Sequence, residues 1–233
     1  MDNIKEKFQN VMKERDQYSV ESPEWNNLNE QKADLLEAMK PSTKENIIYF
    51  EEKDMDFIKE NFDELKYIPN IPFKVDRRSI LEYHPNKRHP IPYCIIRYED
   101  KYFFILRESG SGEIRLIGKK GLIGGHIGDE DVIENNLSKT IENGLIREFE
   151  EEIGETKDII KNISLKGVIK SNNGVDADHL GLLYEIEVDK DDIKAAEKGV
   201  LKGIWIDKAD LPNHYDSFES WSQIAYTQIL SKN

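Results

Sequence analysis

The chain has 233 residues, 38% hydrophobic and 34% charged, and its 33 Lys plus Arg against 46 Asp plus Glu leave a net charge of −13. That length buries a sizeable core in one large domain or a domain with an appendage. The acidic balance disfavours general nucleic-acid binding and docking on an anionic membrane. A lone Cys94 excludes a disulfide framework and a Cys-rich zinc site. No apolar run reaches membrane-spanning length and residues 1–7 lack a signal-peptide pattern, so a cytoplasmic protein is expected.

Residues 1–42 read as a helical arm. Ile4, Phe8, Val11 and Met12 follow helical spacing, and Ser22-Pro23-Glu24 offers an N-cap, a first-turn proline and a first-turn acid for a second helix. That helix carries Trp25, Leu28, Leu35, Leu36 and Met39 and stops at Pro41. Its stripe suits packing on the body, or docking of a partner or a second copy in a homodimer.

Residues 43–233 form the main domain. Residues 47–50 are strand-like, and Met55, Ile58, Phe62 and Leu65 then share one face of an expected helix. Residues 68–92 read as a proline-studded loop with a cationic pair, Arg77 and Arg78. Two alternating runs, 92–97 and 102–107, meet at Glu99-Asp100 as a hairpin. A turn at 109–112, a strand at 113–117 and a glycine-rich loop at 118–126 follow. A helical pattern runs from about 132 to 153, then two strands, 164–170 and 179–188, flank a turn at 171–174. A strand at 203–206 and a helix at 218–230 close the chain. Strands on both sides of one central helix imply an α/β (α+β) sandwich with a mixed sheet and an N-terminal helical extension.

The segment Arg147-Glu148-Phe149-Glu150-Glu151-Glu152-Ile153-Gly154 carries the chemistry. At helical spacing Glu148, Glu151 and Glu152 converge on one face, while Phe149, Ile153 and Ile146 turn to the other. Crowded carboxylates repel unless a cation compensates them, and an all-oxygen set suits a hard divalent ion, Mg²⁺ or Mn²⁺. An acidic face bathed in solvent is the commoner origin of the same spacing.

Together with Gly124 and Glu130 upstream, this segment resembles the Nudix box, G-x5-E-x7-R-E-U-x-E-E-x-G-U, with U a bulky apolar residue. Sixteen residues, 131–146, separate Glu130 from Arg147 where the family has seven, and the final U is the polar Glu155. Glu130, Glu134 and Glu142 are candidates for the first glutamate, with Glu130 preferred for its spacing from Gly124. Pro90-Ile91-Pro92-Tyr93, Gly112-Glu113-Ile114-Arg115-Leu116, Gly124-Gly125-His126 and His179-Leu180-Gly181-Leu182 resemble a Nudix subgroup described as predicted phosphoesterases, which also has a lengthened box.

The resemblance implies a Mg²⁺-dependent pyrophosphohydrolase that cleaves a diphosphate linkage in a nucleoside diphosphate derivative by water attack. It implies Glu148, Glu151 and Glu152 as metal ligands, with Glu151 and Glu152 catalytic. Arg147 becomes a structural residue holding Glu130 in register. Gly124 and Gly125 would let the backbone approach phosphate. Lys119, Lys120, Arg107 and Arg115 are candidates for a cationic rim, joined by Arg77 and Arg78 if their loop folds over. The general base is a box glutamate, Glu185 or Asp178. His126 either contacts phosphate or caps the loop, while His84, His89 and His214 have no metal-ligand spacing. A nucleotide-sensing module without turnover is the alternative.

Overall fold

The structure, a computed structural model, describes residues 2–107, 117–172, 177–195 and 201–232. Two helices, α1 (Asp2–Arg15) and α2 (Pro23–Met39), form the arm. Ser22 caps α2 by accepting a hydrogen bond from the Trp25 N–H at 3.2 Å. Strand β1 (Asn46–Glu51) follows, then β2 (Asn61–Asp63), β3 (Lys74–Arg77) and a short helix α3 (Arg78–Leu81). Next come β4 (Lys87–Tyr98), β5 (Lys101–Arg107), and the two-residue strands β6 (Lys120–Gly121) and β7 (Ile123–Gly124). The central helix α4 (Leu137–Ile153) precedes β8 (Ile160–Lys170), β9 (His179–Val188) and β10 (Leu201–Asp207). A short α5 (Leu211–His214) leads to α6 (Ser220–Ala225), which continues as a π-helical turn over Tyr226–Leu230.

Among the described residues the strands make one mixed sheet in the order β10-β5-β4-β9-β8-β2, with β1, β3, β6 and β7 appended. The pairing of β4 with β9 is parallel and places His89 beside His179, Tyr93 beside Leu183 and Ile95 beside Glu185. The other ladders are antiparallel. Strand alternation divides the core between two faces. Tyr93, Ile95, Phe104 and Leu183 pack under Phe218, Ala225 and Leu230 from the carboxy-terminal helices. Cys94, Ile96, Phe103 and Ile186 pack under Leu145, Phe149 and Ile153 of α4. The expected sandwich with an amino-terminal helical part is what the chain forms.

Four expectations change in detail. The helix expected through residues 55–65 is absent. A single 3₁₀ turn over Glu52–Met55 buries Met55 and Ile58, and residues 61–63 pair with the edge of β8 instead. Asn61 at φ 67° interrupts any helix there, and the open edge of β8 satisfies the freed backbone groups. The loop expected over 68–92 contains β3, α3 and the first half of β4. Pro90 and Pro92 fit inside β4 because successive N–H groups point to opposite neighbours. The His89 N–H, on the β9 side, donates to the Asp178 carbonyl at 2.8 Å, so the prolines fall on the other side. Helix α4 begins five residues later than its periodicity suggested. Asn136 caps it by accepting from the Lys139 N–H at 3.0 Å, and Thr140 Oγ1 accepts from the Ile133 N–H, holding 132–136 outside the helix. The closing helix starts at Ser220, not 218. The turn expected at 109–112, most of the strand at 113–117 and half of the turn at 171–174 lie outside the described residues.

No helix among the described residues is long and apolar enough to cross a membrane.

Candidate active site

Helix α4 presents two opposed faces. Leu145, Phe149 and Ile153 are buried against the sheet, so residues three and four apart on the far side, Glu148, Glu151 and Glu152, stand together. Gly154 ends the helix at φ 68°, a left-handed cap that favours glycine, and its N–H donates to the Glu150 carbonyl. Glu155, in the slot where the box has an apolar residue, is ion-paired with Lys190 at 2.8 Å.

The three glutamates differ in environment. The Glu148 side chain is 14% exposed and Glu151 is 60% exposed. Burial raises the Glu148 carboxyl above its ordinary range, against the pull of the adjacent Arg147 guanidinium.

Arg147 is the hub. It donates to both Asp131 oxygens, at 2.8 Å from Nη2 and 3.1 Å from Nε, and to the His126 carbonyl at 2.7 Å. Its Nη1 meets Glu148 at 2.9 Å and Glu151 at 3.2 Å. Burial works against its charge, but Asp131 and Glu148 outweigh that and hold it firmly protonated. Glu130 sits farther from it, at 3.6 Å. Asp131 is buried and also accepts the Gly128 N–H at 2.9 Å, so it joins loop to helix. Of the other two acids, Glu142 pairs with Lys139 at 2.7 Å on the exposed side of α4, and Glu134 has no contact with Arg147.

The glycine pair sits against this helix. A methyl group on Gly125 would run into the Glu148 carboxylate, and one on Gly124 would run into the Pro92 carbonyl. Lys119 donates to the Asp216 carbonyl at 2.9 Å and Lys120 to Ser217 Oγ at 2.7 Å, tying the start of the loop to the carboxy-terminal segment. Arg77 belongs to the arm interface, where it pairs with Glu30 and Glu37, and Arg78 pairs with Glu45 and Glu82 of the body. The Arg107 side chain and all of Arg115 lie outside the described residues. Glu185 pairs with Lys166 at 3.1 Å. Its strand phase is that of Leu183, which packs with the carboxy-terminal helices, away from α4.

Across the loop from Glu148 lies a second constellation that local spacing does not reveal. His89 on β4, His126 in the loop and His179 on β9 bring one ring nitrogen each within 4.8 Å of one another. Asp178 joins His179 Nδ1 at 2.7 Å and accepts the Tyr83 N–H at 2.6 Å. Burial pushes His89 down to about 3 and His126 well below the usual imidazole range. Burial also works against charge on His179, but the hydrogen bond to Asp178 outweighs it and raises its pKa. Asp178 is correspondingly held down to about 2, its hydrogen bond to His179 overcoming burial. These histidines lie 37 and 53 residues apart along the chain; the β4–β9 pairing joins His89 to His179, and the β4–β7 pairing carries the loop with His126 to them. Asp131 escaped sequence reasoning for another reason: box spacing directs attention to its neighbour, Glu130.

No family model matches the sequence. Protein YmaB of Bacillus subtilis (strain 168) is 31% identical over 154 residues, spanning 63% of this chain and 73% of that protein. Among solved structures, that of Tm1382, provisionally assigned as a Nudix hydrolase, superposes with a TM-score of 0.67 at 22% identity. The match covers 81% of this chain and 100% of that one.

Proposed function

The chain belongs to one family with protein YmaB and has the Nudix hydrolase fold, and from that premise we propose that it is a metal-dependent pyrophosphohydrolase acting on a nucleoside diphosphate derivative. The observation that carries the reading is the face of α4, where Glu148, Glu151 and Glu152 stand together while Arg147 joins Glu148, Glu151, Asp131 and the His126 carbonyl.

These residues fit a hard divalent ion. The donors are carboxylate oxygens, and the largely buried Glu148 is desolvated beside a single guanidinium shared with three other acids. Glu148, Glu151 and Glu152 would hold Mg²⁺, or Mn²⁺ in its place; such an ion supplies charge neutralisation on phosphate oxygens and lowers the pKa of water.

The chain's own residues do the rest. Arg147 fixes the rotamers of Glu148 and Glu151 and, through the His126 carbonyl, the distance between loop and helix. Gly125 leaves room for the Glu148 carboxylate, so a side chain there would displace it. The backbone at Gly124 and Gly125 offers close approach to a diphosphate, and Lys119 adds positive charge at the loop entrance. A box glutamate, Glu151 or Glu152, takes the proton from the attacking water. Glu130 supports Arg147 from its more distant side. A bound cation reverses the local sign, so an anionic substrate is compatible with a chain of net charge −13.

The test is a panel of nucleoside diphosphate derivatives assayed with Mg²⁺ for formation of the nucleoside monophosphate. Glu151→Gln and Glu152→Gln should each lower turnover by at least about 100-fold with an unchanged melting temperature. Full turnover in both variants overturns the mechanism. Tight nucleotide binding without cleavage in the wild-type protein assigns the chain to sensing instead.

A further inference from the structure

We propose that His89, His126 and His179 form a second metal site, selective for a zinc-type ion and separate from the carboxylate face of α4. Three imidazoles and no carboxylate ligand make a set suited to zinc and its neighbours, not to magnesium.

The geometry supports a shared central ion. His89 Nδ1 and His126 Nε2 stand 3.3 Å apart. Two nitrogens bound tetrahedrally to one zinc are separated by about 3.3 Å, from metal–nitrogen distances of about 2.0–2.1 Å. Ring centroids are 5.4 Å apart for His89–His126, 4.9 Å for His89–His179 and 5.4 Å for His126–His179. Interplanar angles of 46°, 63° and 60° exclude stacking and leave the rings inclined around a common point. A hydrogen bond between His89 and His126 would explain their pairing, but not the third ring held within 4.9 Å of one and 5.4 Å of the other.

The supporting shell fits as well. Asp178 engages Nδ1 of His179, which leaves Nε2 as that ring's free donor atom, and the second Asp178 oxygen is fixed by the Tyr83 N–H. His89 is fully buried, and its Nε2 makes no hydrogen bond of normal geometry. The loop bearing His126 is pinned through its carbonyl by Arg147. The His179 side chain is 18% exposed, so the cluster keeps one side open. Three protein ligands with an open side describe zinc sites that retain a position for water or an anionic oxygen.

The experiment uses the full-length chain, stripped with chelator and titrated with Co²⁺. A three-histidine site gives one Co²⁺ per chain with the intense visible bands of tetrahedral coordination, whereas Co²⁺ on the glutamates is octahedral and pale. The bands should persist in the Glu151→Gln, Glu152→Gln double variant and vanish in His126→Asn. Asp178→Asn, a change to a positioning residue, should weaken Co²⁺ binding about 10- to 100-fold. A wild-type spectrum with only pale octahedral bands overturns the proposal without recourse to any variant. So do tetrahedral bands that survive in a folded His126→Asn protein. The readout is independent of turnover, so failure here leaves the hydrolase reading intact, and the reverse holds.

Discussion

Adjacent glycines in the loop answer to different constraints. A methyl on Gly124 meets the Pro92 carbonyl, a backbone group that cannot turn aside, whereas one on Gly125 meets the end of the Glu148 side chain. Gly124→Ala should therefore destabilise the fold by about 1–3 kcal/mol. Gly125→Ala should leave the melting temperature nearly unchanged and weaken Mg²⁺ binding about tenfold by turning Glu148 out of position. Calorimetric titration beside a thermal melt separates the two. The ion pair beneath them is a fold element in its own right. Asp131 is 4% exposed and accepts from both Arg147 and the Gly128 N–H. Asp131→Ala leaves a partly buried guanidinium and a backbone donor without that acceptor, a cost of roughly 2–4 kcal/mol in urea unfolding. Glu130→Ala, which removes a contact at 3.6 Å from an exposed side chain, should cost under about 1 kcal/mol.

At the scale of elements, what was legible followed local periodicity. The face of α4 could be placed because carboxylates three and four apart must converge on any helix, and Phe149 and Ile153 show which side is buried. The β4–β5 hairpin could be placed because alternation and Glu99-Asp100 mark it; Glu99 takes φ 49° in the turn. The histidine cluster was not legible, because it depends on the register of β4 on β9, a pairing between segments about ninety residues apart. The strand at 61–63 was hidden because Met55 and Ile58 suit a buried turn as well as a helix face. The element least apparent in sequence, the stretch from α3 to β4, carries a pH-sensitive group. His84 is 2% exposed, packed edge-on against Trp25 of α2 at 4.8 Å, and burial pushes it down to about 3. It stays neutral in the fold while the unfolded chain takes up a proton near pH 6.5. Stability should therefore fall as pH drops below about 6.5, by about 2 kcal/mol at pH 5. His84→Gln should remove that share of the slope in denaturant titrations across this range and leave the share carried by the buried His89 and His126; an unchanged slope shows that His84 carries none of it.

At the scale of the whole molecule, the arm is bound to the body by polar contacts as well as by its apolar stripe. Lys32, fully buried on α2, donates to the carbonyls of Ser79, Ile80 and Glu82 at 2.6, 3.2 and 2.7 Å. Asn29 donates to the Ile80 carbonyl and Arg15 to that of Tyr83. The carbonyl ends of α3 and the residues after it thus have their partners in the arm, as an isolated helix end requires. Trp25, Leu28, Ala33 and Leu36 are buried in the same contact, so α2 has little apolar face left for a second copy. The segment the arm grips leads on to the histidines, since the Tyr83 N–H donates to Asp178 and Asp178 holds His179. The face of α4 is anchored instead by Asp131, the loop carbonyl and the sheet. Deleting residues 1–40 should therefore lower the melting temperature by roughly 5–10 °C and speed hydrogen exchange over residues 78–84. It should leave Mg²⁺ affinity and the number of chains per particle unchanged. A fall in mass to half would show instead that the arm joins two copies, and an unchanged melting temperature would show that the Lys32 contacts contribute nothing to the body's stability.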